Sequence, residues 1–307
     1  MNQYAFLFPG QGSQFAGMGK SLSDNFTAAR RVFEEADDAL GFSLSRLCFE
    51  GPEEELKLTE NTQPALLTIS IAAYAVLAER GVVPKAVAGH SLGEYSALVA
   101  AGALPFTDAL RLVRNRGRYM QEAVPPGVGA MAALLYLPED KLESVLSDAA
   151  QGETVNAANL NSPEQIVIAG HAGAVGRAME LAKAAGARRA KLLPVSAPFH
   201  CSLMNPAQTR LAPELNSIAF QNLVFPLINN WRANMIHSAE QARQGLYEQI
   251  PNPVLWSKTM QVFAQQQIEH FVEVGPGTVL AGLVRKNSPA ATCLPFGESS
   301  HLDSIFV

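Results

Sequence analysis

Three cysteines in 307 residues, Cys48, Cys201 and Cys293, are too few and too widely spaced for a disulfide framework or a zinc site. They fit a reducing compartment, so a cytoplasmic protein is expected. Charged residues are also scarce, at 17% against 48% hydrophobic, a balance that excludes disorder and supplies ample core material. A net charge of -5 argues against bulk attraction to nucleic acid. Long apolar runs are missing too: the richest, Leu66 to Ala78, is about one buried helix long and too short to span a bilayer. No basic region or cleavage site precedes the strand-like run Tyr4 to Phe8, so no signal peptide is expected.

What is present reads as alternating strands and helices. Tyr4 to Phe8 predicts a buried strand closed by Pro9-Gly10-Gln11-Gly12-Ser13. Asp24 to Leu40 predicts an amphipathic helix capped by Asp24, and Pro64 to Arg80 a buried helix stopping at Gly81. A short strand at Ala86 to Ala88 leads into helices at Leu92 to Ala101 and Phe106 to Glu122. Pro125-Pro126-Gly127 then changes the rhythm. Up to Pro194-Val195-Ser196-Ala197-Pro198 the order becomes βαββαβ, the ferredoxin-like arrangement. Residues 126–197 therefore read as a small unit inserted into a larger α/β one formed by 1–125 and 198–307. A helix at Leu203 to Asn216, a strand at Pro226 to Asn229, two helices near Ala239 and Trp256, and a strand at His270 to Val274 complete it.

The chemistry concentrates at Gly89-His90-Ser91-Leu92-Gly93, a G-x-S-x-G between a short strand and an apolar helix. Glycines on either side let the chain turn sharply, so that the serine hydroxyl projects above the sheet. The following helix N-terminus favours negative charge there. A serine nucleophile needs a base. Of six histidines, His90 reads as a packing residue, whereas His200 lies where a rigid loop enters a helix. No aspartate occupies a persuasive place for a hydrolase triad. Cys201, beside His200, reads as a small packing residue. The loop Phe8 to Gln14 lacks the Gly-Lys-Ser/Thr ending of a phosphate-binding loop and suits an oxyanion hole better. Arg111, Arg114, Arg116 and Arg118 share one helix. One of them facing inward would offer a carboxylate a two-pronged contact, and spacing alone leaves open which.

Taken together, Phe8-Pro-Gly-Gln-Gly-Ser-Gln14, Thr62-Gln63-Pro64-Ala65, Gly89-His-Ser-Leu-Gly-Glu94, Arg114-Asn-Arg-Gly117, Ala197-Pro-Phe-His200, Asn252-Pro253 with Trp256, and Glu273-Val-Gly-Pro-Gly277 resemble the malonyl-CoA:acyl carrier protein transacylase family. The resemblance implies an α/β-hydrolase-like core interrupted by a ferredoxin-like subdomain. It implies Ser91 as nucleophile, His200 as general base and Arg116 as the holder of the malonyl carboxylate. Gln11 and Leu92 would supply the oxyanion-hole amides, and the main-chain carbonyl of Gln249 would orient the histidine in place of an aspartate. Phe199 resembles the malonyl-selective pattern of polyketide acyltransferases, where many stand-alone bacterial relatives carry serine. The implied partners are malonyl-CoA and an acyl carrier protein, with no metal or bound cofactor and the enzyme a monomer. An acidic carrier would dock on local positive charge, for which Arg188, Arg189, Lys191, Arg285 and Lys286 are the candidates. A hydrolase of the same architecture and a non-catalytic binding protein are the competing readings.

Overall fold

In the computed structural model, which describes residues 4–306, two sheets organise the chain. Residues 1–3 and Val307, at the ends of the expected core, lie outside the described residues. Strand β1 (Ala5–Phe8) is completely buried, as an apolar run without alternation requires when helices cover both faces. It pairs in parallel with β2 (Val87–Gly89), the strand that ends in the serine turn.

The inserted stretch forms β3 (Gly129–Leu135), β4 (Val155–Ser162), β5 (Gln165–His171) and β6 (Arg189–Leu192). These make an antiparallel sheet in the order β4-β5-β3-β6, the ferredoxin-like topology. Period-two alternation gives each face its own task. Ala132, Leu134, Ile166 and Ile168 pack under the helices Leu142–Ala150 and Ala172–Ala184. Met131, Ala133, Val167 and Ala169 face the main core.

The chain then returns to the larger sheet with β7 (Leu227–Ile228), β8 (Met235–Ile236), β9 (His270–Val274) and β10 (Thr292–Phe296). The six strands run β10-β9-β1-β2-β7-β8, parallel except for the β7–β8 pair. The chain is thus an α/β protein with an α/β-hydrolase-like parallel core and a ferredoxin-like subdomain. The core reaches the smaller sheet where Val254, outside the six strands, exchanges backbone hydrogen bonds with Ala158 and Leu160 of β4, each 2.9 Å.

Several boundaries differ from the sequence expectation. Asp24 caps nothing: it sits in the helix Lys20–Asn25 and pairs with Lys20 across one turn at 2.9 Å. The next helix, Thr27–Leu40, begins only after extended Phe26, whose ring lies 4.8 Å from the Arg80 guanidinium. The buried helix spans Thr59–Glu79 and carries Pro64 inside it. Fifteen of its residues are buried, and this packing outweighs the one hydrogen bond that proline removes. Helix Val279–Asn287 and strand β10 had no counterpart in the sequence reading. Pro295 disguises that strand, yet proline is tolerated on a sheet edge, and β10 is the edge. No described helix is long and apolar enough to cross a membrane.

Candidate active site

At the C-terminal end of β2 the chain reverses through Ser91, with φ 52° and ψ -107°. The sharp conformation therefore falls on the serine itself and not on its glycines, a strain worth about 1–3 kcal/mol. The glycines are needed for room. A Cβ on Gly89 would lie 1.9 Å from the Gly93 backbone, and one on Gly93 would lie 2.0 Å from the Phe8 carbonyl oxygen. That interlock presses the elbow against the loop after β1, with the His90 amide donating to the Phe8 carbonyl at 3.0 Å. Asn230, buried just after β7, clamps the turn from below. Its Oδ1 accepts from the Ser91 amide at 2.7 Å, and its Nδ2 donates to the Gly89 carbonyl at 2.7 Å.

The Ser91 hydroxyl lies 2.7 Å from Nε2 of His200. On the other side of the ring, Nδ1 lies 2.9 Å from the main-chain oxygen of Gln249. A carbonyl only accepts, so Nδ1 carries the proton and Nε2 turns its lone pair to the serine. Burial, reinforced by the neighbouring Arg116 charge, pushes the His200 pKa down to about 3. The imidazole is therefore neutral around pH 7, the form a base requires. Among the described residues, no carboxylate touches it. His200 also has positive φ, 58°, so both members of the pair are held in uncommon backbone conformations.

Among the four arginines of the helix Phe106–Glu122, Arg116 is the one that is buried, at 2% exposure. Nη1 donates to Gln63 Oε1 at 2.8 Å, while Nη2 donates to Gln249 Oε1 at 2.9 Å and to Ser91 Oγ at 3.2 Å. The guanidinium lies 5.2 Å from the Tyr95 ring centre. Its hydrogen-bond partners among the described residues are all neutral, Glu94 acts on it only through space, and burial lowers its pKa. Arg111 and Arg118 are exposed, and Arg114 lies 4.5 Å over the Phe42 ring.

Gln11, Gln63, Ser91, Arg116, Phe199 and His200 line one cleft of about 140 Å³, closed from the smaller unit by Met131, Asn159, Leu193 and Val195. A wider groove of about 730 Å³ shares Gln11 and Val195 with this cleft and opens it to solvent. Leu92 and Gln249 stand behind the lining. Leu92 is the first residue of the helix Leu92–Ala100, so its amide has no carbonyl one turn back. His90 packs, as expected, with its ring tilted against Trp256 at 5.4 Å between centres and Nε2 2.8 Å from Asn161 Oδ1, and it also lines the cleft. Cys201 is fully buried, its thiol pushed up to about 11 by burial, which suits a packing residue. Arg188, Arg189, Lys191, Arg285 and Lys286 are exposed and lie outside the cleft. Sequence reading assigned no role to Asn230 or Asn161, because neither falls in a motif with a chemical signature.

The family model for the acyl transferase domain matches residues 5–293. The chain is 48% identical over 301 residues to the malonyl CoA-acyl carrier protein transacylase of Escherichia coli (strain K12), covering 98% of this chain and 97% of that protein. It is 50% identical over 287 residues to the protein of the same name from Bacillus subtilis (strain 168), covering 93% and 90%. The acyl carrier protein S-malonyltransferase of Vibrio cholerae O1 biovar eltor superposes with a TM-score of 0.97 at 42% identity, over 99% of this chain and 100% of that one. A malonyl-transacylase solved in complex with a type II polyketide synthase acyl-carrier protein superposes at 0.96 with 44% identity, over 99% and 98%. By sequence along nearly its whole length and by fold, the chain belongs to the acyl transferase domain family, among the malonyl CoA-acyl carrier protein transacylases.

Proposed function

We propose that the chain transfers a malonyl group from malonyl-CoA to the phosphopantetheine thiol of acyl carrier protein through an acyl-enzyme on Ser91, supplying extender units for fatty-acid or polyketide synthesis. The observation that carries this reading is the Ser91–His200 pair at 2.7 Å, with buried Arg116 donating to the same serine oxygen. His200 Nε2 takes the hydroxyl proton as Oγ attacks the thioester carbonyl. The main-chain amides of Gln11 and Leu92 receive the oxyanion. Collapse of the tetrahedral intermediate breaks the C–S bond, and His200 returns the proton to the coenzyme A sulfur. The second half repeats these steps in reverse, with the carrier thiol as nucleophile and Ser91 as leaving group. The Gln249 carbonyl holds the imidazole where a hydrolase would use a carboxylate.

Arg116 accounts for substrate choice. Its neutral partners leave a buried positive charge that the malonyl carboxylate completes, whereas an acetyl group leaves it unpaired. Phe199, on the cleft wall beside the base, narrows the space for a branched acyl chain. Residues 1–125 with 198–307 form the catalytic core and 126–197 the inserted subdomain. The enzyme works as a cytoplasmic monomer, with the coenzyme A thioester as substrate and no further cofactor.

The test is intact mass after brief exposure to malonyl-CoA or acetyl-CoA, for the wild type and Ser91→Ala. A malonyl adduct on the wild type alone, discharged by holo acyl carrier protein, is the expected result. Release of coenzyme A and free malonate without an adduct would replace the transferase with a hydrolase.

A further inference from the structure

Glu94 is fully buried in the first turn of the helix after the nucleophile, and the mechanism above gives it no task. It makes no direct contact with Arg116 or His200. Its Oε2 instead accepts two hydrogen bonds, from Gln249 Nε2 at 2.8 Å and from the Asn230 amide at 3.1 Å. Each partner reaches the reacting groups. Gln249 Nε2 also donates to the Ser91 carbonyl at 2.9 Å, which leaves its Oε1 to receive Arg116 Nη2. Asn230 clamps the serine turn through its side chain.

The orientation of the Gln249 side chain is the point on which this turns. An amide rotated by half a turn would present its NH2 group to Arg116 and its oxygen to the Ser91 carbonyl and to Glu94, donor against donor and acceptor against acceptor. The acceptor at Glu94 Oε2, with the Ser91 carbonyl, makes the observed orientation favourable on that side, and the Glu94 contact is the shorter of the two. Burial pushes the Glu94 carboxyl up to about 7, and an acceptor oxygen remains in either protonation state.

We propose that Glu94 is a positioning residue for acyl selectivity: through the Gln249 amide it aims the Arg116 guanidinium at the acyl group on Ser91. The inference rests on the reading of Arg116 as the carboxylate holder. It adds that Gln249 acts twice, by its carbonyl on His200 and by its side chain on Arg116.

Serine acylation rates with malonyl-CoA and acetyl-CoA, read by intact mass, test this in Arg116→Ala, Glu94→Met, Glu94→Gln and Gln249→Met. Glutamine at 94 keeps an acceptor for both partners, so the malonyl-to-acetyl preference should stay within about threefold of wild type. Methionine there keeps length without an acceptor and should lower the preference by about tenfold or more, as should Gln249→Met. A general loss of packing would instead slow both donors together. If Arg116→Ala abolishes the preference while Glu94→Met keeps it, Glu94 has no positioning role. Should Glu94→Met fail to fold, an unchanged preference in Gln249→Met or a collapsed one in Glu94→Gln overturns the route equally. An unchanged preference in Arg116→Ala would remove the carboxylate-holder reading itself, and this inference with it.

Discussion

The catalytic base is tuned at the scale of one ring. A histidine ordinarily titrates near 6.5, but burial beside Arg116 moves His200 down to about 3, so the neutral form persists far into acid. Base catalysis needs that neutral form. Consequently kcat/KM for serine acylation should stay flat from about pH 8 to about pH 5, without an acid limb near 6.5. Stopped-flow acylation across that range checks it, and a limb centred near 6.5 would contradict the burial. Folding should respond in the same window. The unfolded chain takes up a proton below 6.5 that folded His200 refuses, so its contribution to stability is lost as pH falls from 6.5 towards about 3.

At the scale of elements, one buried carboxylate holds a helix in place. Glu273 on β9 accepts from the amides of Leu280 and Ala281, at 2.9 and 2.7 Å, and so caps the helix Val279–Asn287. Glu273→Gln would set an NH2 group against one of those amides and should cost about 1–3 kcal/mol, read as a lower urea midpoint at unchanged slope. Wild-type stability in this variant would show that the helix N-terminus finds other partners. The elements were legible in proportion to their periodicity. The helix Phe106–Glu122 and strand β3 fall where pattern alone puts them, and the βαββαβ order was readable throughout. Pro64 misled because proline normally opens a helix, and here burial overrides that preference. Strand β10 escaped notice because an edge position forgives Pro295.

On the scale of the whole molecule, the cleft exists because the core and the smaller unit meet across it, and the exposed positive charge proposed for carrier docking lies outside its lining. Lys286 on the core helix pairs with Glu164 of the smaller unit at 3.4 Å, both about 40% exposed. A pair so open to water contributes little to stability. Reversing Arg285 and Lys286 to glutamate should therefore leave folding and malonyl-CoA acylation intact while raising the KM for an acidic carrier protein severalfold. Carrier kinetics that do not change would move docking elsewhere on the surface.

The amino-acid sequence alone determined the alternation of strands and helices, the G-x-S-x-G turn with Ser91 and the inserted βαββαβ order, while His200 and Arg116 were singled out by family resemblance. These are local matters, settled by periodicity, turn chemistry and short motifs. Only the tertiary structure gave the contacts themselves: the burial of Arg116 on neutral partners, the Gln249 carbonyl at 2.9 Å from the base, and Asn230 and Glu94 behind the serine. Those contacts join segments far apart along the chain, 49 residues for His200 to Gln249 and 139 for Ser91 to Asn230, and no spacing along one chain encodes them. They arise when buried polar groups must find partners, and that accounting closes only once the chain has packed.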